Sequence, residues 1–280
     1  MSGTLYLVGT PIGNLGDITD RARETLRSVD LIAAEDTRRT GRLLQRFGIK
    51  AKTVSLFEGN ERVRTEELLV ELREGSDVAV VTDAGMPAVS DPGFRLVRAC
   101  AEEGIDVRVV PGPSAVIAAL VVSGLPSDRW VFEGFLPRKA GERRARLRAM
   151  RHDPRTVVLF ESPHRVATLF RDVLVELGDR RLALARELTK LHEEVVRGRT
   201  SEVLATLADR DLKGEVVIVL EGATEPAVAE LPELVAEAGA LVEAGMKKRA
   251  AASEVARRYG ASANEVYDAM IRAQRPTIQG

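Results

Sequence analysis

Over roughly the first 113 positions, apolar residues follow two alternating rhythms. Short β-rich runs, TLYLVG (4–9), DLIAA (30–34), KTVSLF (52–57), DVAVVTD (77–83) and DVRVVPG (106–112), are each bounded by Gly, Pro or Asp, as buried parallel strands tend to be. Between them the apolar spacing is helical. In ERVRTEELLVELREG, Val63, Leu68, Leu69 and Leu72 recur on one face, and Gly75 is placed to end the helix. Strand, helix and strand in repetition predict a mainly parallel sheet covered on both faces. In such a sheet a ligand binds beyond the carboxyl ends of the strands.

A second set of runs, RWVFEGF, TVVLFES, RRLALARE, EEVVRG and EVVIVLEG, occurs with helices near 142–151, 164–177 and 201–209, and predicts a mixed α/β domain. Glu225, Glu230, Glu233, Glu237 and Glu243, with Pro226 and Pro232, then mark a linker and an acidic helix. Beyond it Ala251, Val255 and Tyr259 form an apolar stripe that Gly260 interrupts. Ser262 can cap a following helix whose Val266, Met270 and Ile271 face back, a pattern like a helix-turn-helix unit. The expected domains are therefore 1–113, 114–225 and 226–280.

Composition narrows the function. Hydrophobic residues make up 45% and charged residues 30%, enough for buried cores, while aromatics at 4% are too few for a site built by stacking alone. The single cysteine, Cys100, sits at helical spacing among apolar neighbours and reads as core. No stretch approaches the roughly 18 apolar residues of a membrane span, so a cytoplasmic protein is expected. The histidines, His152, His164 and His192, are not paired, and no metal-ligand spacing occurs.

The unusual residues collect where strands end. GTPIGNLGD follows the first run, with Asp17 or Thr19 as a cap for the next helix. Its Gly9, Gly13 and Gly16 match neither the dinucleotide fingerprint nor the P-loop. TDAGMPAVSDPG packs Asp83, Gly85, Pro87, Ser90, Asp91, Pro92 and Gly93 into twelve residues, more turn chemistry than a connection needs. Gly85 allows backbone to approach a ligand and the prolines stiffen the loop. Asp91 is expected to cap the helix starting near Phe94. VPGPSA ends the fifth run, with Ser114 as the cap of an apolar helix. Three such loops converging on one crevice are far more specific than any one of them.

GTPIGNLGD, AEDTRRT, TDAGMPAVSDPG, VPGPSA, GFLPRK, FESPHR and ARELTKLHEEVVRG together resemble the bacterial ribosomal RNA small-subunit methyltransferase I family, of the tetrapyrrole-methylase-like superfamily. The resemblance runs from about residue 3 to 222 and into the tail. It implies two α/β domains with a donor cleft between them, plus a small C-terminal helical domain. The implied activity is transfer of a methyl group from S-adenosylmethionine to the ribose 2′-hydroxyl of a cytidine in the decoding region of 16S rRNA, by a homodimer. Carried onto this chain, the donor contacts are Pro11, Ile12, Asp83, Gly85, Met86, Ser114 and Ala115, with Phe160 closing over them. Met86 stands where relatives usually carry a smaller polar residue, which favours backbone contact there.

Candidates for the chemistry are Glu35, Asp36 and Arg38 in AEDTRRT, His164 in ESPHR, and Lys190 beside Arg186 and Glu187. Asp36 or Thr37 would otherwise only cap a helix, and the residues alone do not choose the general base. Between 138 and 155 eight basic residues face only Glu142 and Asp153. Arg138, Lys139, Arg143, Arg144 and Arg148 of this run are expected to contact RNA phosphates, as are Lys247, Lys248 and Arg249 in the tail, where Arg275 adds a further charge. The alternatives are a solvated charge run and a helical hairpin that only packs. A small-molecule (tetrapyrrole-type) methylase would need neither basic segment, and a non-catalytic ribosome-binding protein would not bind the donor.

Overall fold

Alternate residues of each central strand of the first sheet feed two different cores. A computed structural model describes residues 2–208, 210, 212–223 and 230–273; Glu225, Pro226 and Arg275 lie outside the described residues. The strands are β1 (Leu5–Val8), β2 (Leu31–Ala34), β3 (Thr53–Ser55), β4 (Val78–Val81) and β5 (Val107–Val110). Their order is β3-β2-β4-β1-β5, and every pair is parallel, with Leu5 opposite both Val78 and Val107. Leu31, Ala33, Val78 and Val80 enter one core with Leu68, Leu72 and Leu96. Ile32, Ala34, Ala79 and Val81 enter the other with Ala22, Leu26 and Leu44. Because side chains alternate at period two, a strand apolar at every position needs cover on both faces, and it has it.

The cover comes from α1 (Asp20–Ser28) and α2 (Thr37–Arg46) on one face and from α3 (Glu61–Arg73) and α4 (Phe94–Glu102) on the other, and α5 (Ala115–Ser123) follows the last strand. Three starts follow the sequence: Thr19 accepts from the Ala22 amide, Asp36 from Arg38 and Arg39, and Ser114 from Ile117. The fourth does not. Gly93 is the cap residue of α4 and gives no side-chain bond. Instead Glu61 Oε1, from the start of α3, accepts from the amides of Gly93 at 2.9 Å and Arg95 at 3.2 Å. The capping role expected of Asp91 is thus taken by a residue distant in sequence. Cys100 is buried in the first core, and burial pushes its thiol up to about 11, as for an inert core cysteine.

The second sheet contains β6 (Trp130–Phe135), β7 (Thr156–Glu161), β8 (Arg181–Arg186), β9 (Glu194–Arg199) and β10 (Val216–Leu220), in the order β6-β7-β10-β8-β9. β6 and β7 run parallel, with a register shift between Phe132 and Gly134. Its helices are α6 (Ala140–Ala149), α7 (Val166–Leu177) and α8 (Thr200–Thr206). The tail forms α9 (Leu231–Glu243), α10 (Lys248–Tyr259) and α11 (Ala263–Ala273) around Leu234, Ala238, Ala251, Val255, Val266 and Met270. Gly260 ends α10 in the left-handed conformation. Among the described residues no helix is long and apolar enough to cross a membrane.

By contact density the chain forms two compact units. One comprises Met1–Gly124, Leu184–Val196 and Lys213–Ile218; the other comprises Leu125–Ala183, Arg197–Leu212 and Val219–Gly280.

Candidate functional site

In the first unit the three glycine-rich loops are tied to one another by backbone. Thr10 and Gly85 exchange two hydrogen bonds, the Thr10 amide to the Gly85 carbonyl at 2.9 Å and the Gly85 amide to the Thr10 carbonyl at 3.1 Å. The Thr10 hydroxyl also donates to the Thr82 carbonyl at 3.0 Å. Gly85 adopts φ +84, a conformation open to glycine at little cost. Gly9 packs directly on Gly112, since a Cβ on Gly9 would lie 2.7 Å from the Gly112 Cα and from the Met86 sulfur. The structure therefore brings Pro11, Ile12, Asp83, Gly85, Met86, Ser114 and Ala115 onto adjoining turns. The Ser114 hydroxyl is engaged as the α5 cap.

Asp83 is the charged residue of this group. Its amide donates to Glu35 Oε2 at 3.1 Å and its Oδ2 pairs with Arg39 at 3.2 Å. Its other oxygen is buried without a hydrogen-bond partner among the described residues. Burial pushes the Asp83 carboxyl above its ordinary value, against the pull of Arg39. Asp91 goes further: burial, with Glu35 and Asp83 nearby, pushes its carboxyl up to about 7. Asp36 goes the other way, because the Arg38 guanidinium at 3.0 Å holds it down to about 2. Arg38 is 86% exposed. The residue beside it, Arg39, lines a cavity of about 460 Å³ with Thr10, Pro11, Arg42, Thr82 and Asp83. The sequence reading missed Arg39; its spacing of three from Arg42 on one helix was the available signal.

Lys190 also belongs to the first unit. Burial pulls its ammonium down, but Glu187 at 2.7 Å and Glu215 at 3.1 Å outweigh that and hold it above its usual range. It is a fixed cation rather than a free base. Its stem packs on the first loop, since a Cβ on Gly13 would lie 2.5 Å from Lys190 Cγ.

Phe160, His164 and the basic run lie in the second unit. Phe160 packs between Phe132 and Phe135, with ring centroids at 4.9 and 5.5 Å. His164 is exposed on a short 3-10 turn. Folding offsets part of the basic excess of this run, because three carboxylates from outside it, Asp172, Glu176 and Glu133, pair with its arginines. Arg143 is buried against Asp172 at 2.6 Å, Arg144 shares that carboxylate at 2.7 Å, and Arg148 pairs with Glu176 at 2.9 Å. Arg146 pairs with Glu133 and Arg155 with Asp153. Arg138 is exposed without an ion-pair partner among the described residues, and Lys139 pairs with Glu142 at 3.1 Å. In the tail Lys247 is exposed at the start of α10, followed directly by Lys248, and Arg249 lies over the Tyr267 ring. The Tyr259 ring packs at a tilt against His152, with centroids 4.7 Å apart, and its hydroxyl donates to Glu237, so α10 is held to the loop after α6.

A parallel sheet whose strand-end loops are welded through glycine backbone fits a methyltransferase of one particular class. Residues 4–204 match the model of the Tetrapyrrole (Corrin/Porphyrin) Methylases, and the chain belongs to that family. Within it, the chain groups with proteins named ribosomal RNA small subunit methyltransferase I. That of Thermotoga maritima is 51% identical over 79% of this chain and 99% of its own. That of Escherichia coli O157:H7 is 46% identical over 97% and 96%. A solved uroporphyrin-III-C-methyltransferase from Thermus thermophilus shares the fold, with TM-score 0.55 and 24% identity over 78% of this chain and 94% of that one.

Proposed function

We propose that this methyltransferase modifies the ribose 2′-hydroxyl of a cytidine in the decoding region of 16S rRNA, in the small ribosomal subunit, and works as a homodimer. The observation that carries the reading is the backbone weld of Thr10 to Gly85 and of Gly9 to Gly112. It holds carbonyls, amides and one carboxylate on adjoining turns, a donor set suited to S-adenosylmethionine. The unpartnered Asp83 oxygen is an acceptor for an amino or hydroxyl group of that ligand. The space where a Gly85 side chain would stand has Ile12 Cγ2 at 3.5 Å and the Pro113 carbonyl at 3.6 Å as its nearest neighbours, so ligand can approach the backbone there. Pro11, Ile12, Asp83, Gly85, Met86, Ser114 and Ala115 would hold the donor, which supplies an electrophilic methyl group on a sulfonium. Phe160 is assigned a closing role.

The chain's own work is positioning and proton removal. Aligning a weak nucleophile is the larger part. A ribose hydroxyl also needs an acceptor for its proton, and Glu35, Asp83 and Asp91 form a carboxylate group whose proton affinity is raised at two of its members. Asp36, held near 2 and serving as a cap, is a poor acceptor. Lys190 orders the loop over Gly13, and Arg138, Lys139, Lys247, Lys248 and Arg249 are assigned to phosphate contacts.

The test is labelled methyl transfer from S-adenosylmethionine to small subunits isolated from cells lacking this modification, followed by mapping of the product. A single ribose-methylated cytidine is expected. Label on a base, or none on the subunit, would overturn the reading.

A further inference from the structure

The cavity of about 460 Å³ in the first unit has a wall that the donor does not need. Pro11 and Asp83 form the side shared with the donor residues. The opposite side is α2, which presents Arg39 and Arg42, three apart on one helix face. Of the charged lining residues two are cationic and one, Asp83, is anionic, so the cavity carries a net positive charge. Arg39 is half-exposed and pairs with Asp83 at 3.2 Å, its one ion pair among the described residues. Arg42 is exposed and has no ion-pair partner among the described residues. The hydroxyl-bearing Thr10 and Thr82 complete a surface with hydrogen-bonding groups. The volume is that of a nucleotide-sized pocket.

We infer that Arg39 and Arg42 form a phosphodiester subsite that seats the target nucleotide of an RNA strand beside the donor. The inference rests on the function proposed above for its substrate, though the subsite is defined by its own residues. A guanidinium is planar, permanently charged and able to bind phosphate in two-point fashion. Arg39 exchanges Asp83 for the incoming phosphate, so the Asp83 carboxylate is released as the strand seats. Arg38 precedes them on the same helix, but its guanidinium is bound to Asp36. The subsite uses its neighbour.

The test measures binding of a 12-nucleotide single-stranded oligoribonucleotide by anisotropy at several salt concentrations. Arg39→Gln and Arg42→Gln are each expected to weaken binding about tenfold, and to reduce the slope of log affinity against log salt by about 0.7. Arg42→Lys should restore the slope and only part of the affinity, because it keeps the charge and loses the fork. Affinity for S-adenosylmethionine in Arg42→Gln should stay at the parental value. An unchanged affinity and slope in the double variant, or no binding by the parent, overturns the subsite even if small subunits are methylated. If binding depends on both arginines but the parent leaves small subunits unmethylated, the subsite stands and the function proposed above falls.

Discussion

As sequence, the strand-end loops of the first unit and the arginine-rich helix of the other unit are equally eloquent, yet they behave differently once folded. The loops do what their residues announce. Gly85 takes a left-handed φ, Gly9 meets Gly112 backbone to backbone, and Ser114 caps α5. The helix α6 does not. Its arginines are largely consumed by Asp172, Glu176 and Glu133. A glycine's meaning lies in its own backbone freedom, which travels with the residue. A charge's meaning lies in its partner, which the chain supplies from elsewhere.

The sharpest way to break this contrast is Arg143→Ala. The Arg143 side chain is 6% exposed and Asp172 3%, so the substitution leaves a buried carboxylate short of its counter-ion. The expected cost is about 3–5 kcal/mol in urea unfolding. Arg138→Ala, on the exposed approach to the same helix, should stay within about 0.5 kcal/mol while weakening RNA binding. Equal and small losses from both would return the whole run to the role of a solvated, phosphate-facing surface.

Gly85→Val probes the other side of the contrast and should cost less stability, about 1–3 kcal/mol, because a β-branched residue must adopt φ +84. The nearest neighbour of a Cβ there is 3.5 Å away, so sterics alone will not unfold the chain. Calorimetry with S-adenosylmethionine should then show binding abolished in a cooperatively folded variant. Retained donor affinity would detach this loop from the donor.

What was legible follows from these cases. All ten described strands were marked by short apolar runs, and the run is unbroken where both faces are buried, as in β2, β4 and β10. Edge effects trimmed them: KTVSLF contracts to Thr53–Ser55 at the rim of the sheet. The apolar faces of the tail helices were likewise readable from spacing, and Ala251, Val255, Val266 and Met270 share one core. Contacts across long sequence distance were not. Nothing near Gly93 announces Glu61, nothing near Arg143 announces Asp172, and Arg39 stood unremarked beside Arg38. In each case the deciding partner is brought by the fold.

Asp91→Asn sharpens the comparison inside the loop region itself. With the folded carboxyl raised to about 7 and the unfolded value near the usual ~3.9, ionisation favours the unfolded chain. The parent is therefore unpenalised below about pH 4 and loses stability as pH rises through about 7. Asparagine has no charge to bury. The variant should match the parent at pH 4 and exceed it at pH 8 by on the order of 2 kcal/mol, allowing for solvent screening. A pH-independent difference would mean that Asp91 is solvated. Methyl transfer should fall in the same variant if this carboxylate shares the ribose proton.

The smallest effect concerns the cap that moved. Glu61 Oε1 receives the amides of Gly93 and Arg95, two of the donors an α-helix leaves unsatisfied at its start. Its negative charge also lies at the positive end of the α4 dipole. Glu61→Ala should remove both contributions for about 1 kcal/mol in urea unfolding. Glu61→Gln should recover much of that, because an amide oxygen still accepts. Asp91→Ala, by contrast, should show no capping loss at any pH, since Gly93 rather than Asp91 occupies the cap position. Hydrogen exchange gives the local reading. The amides of Gly93 and Arg95 should lose protection in Glu61→Ala and keep it in Asp91→Ala. The reverse pattern would hand the cap back to the loop's own aspartate, and short-range loop chemistry alone would then suffice to build this region.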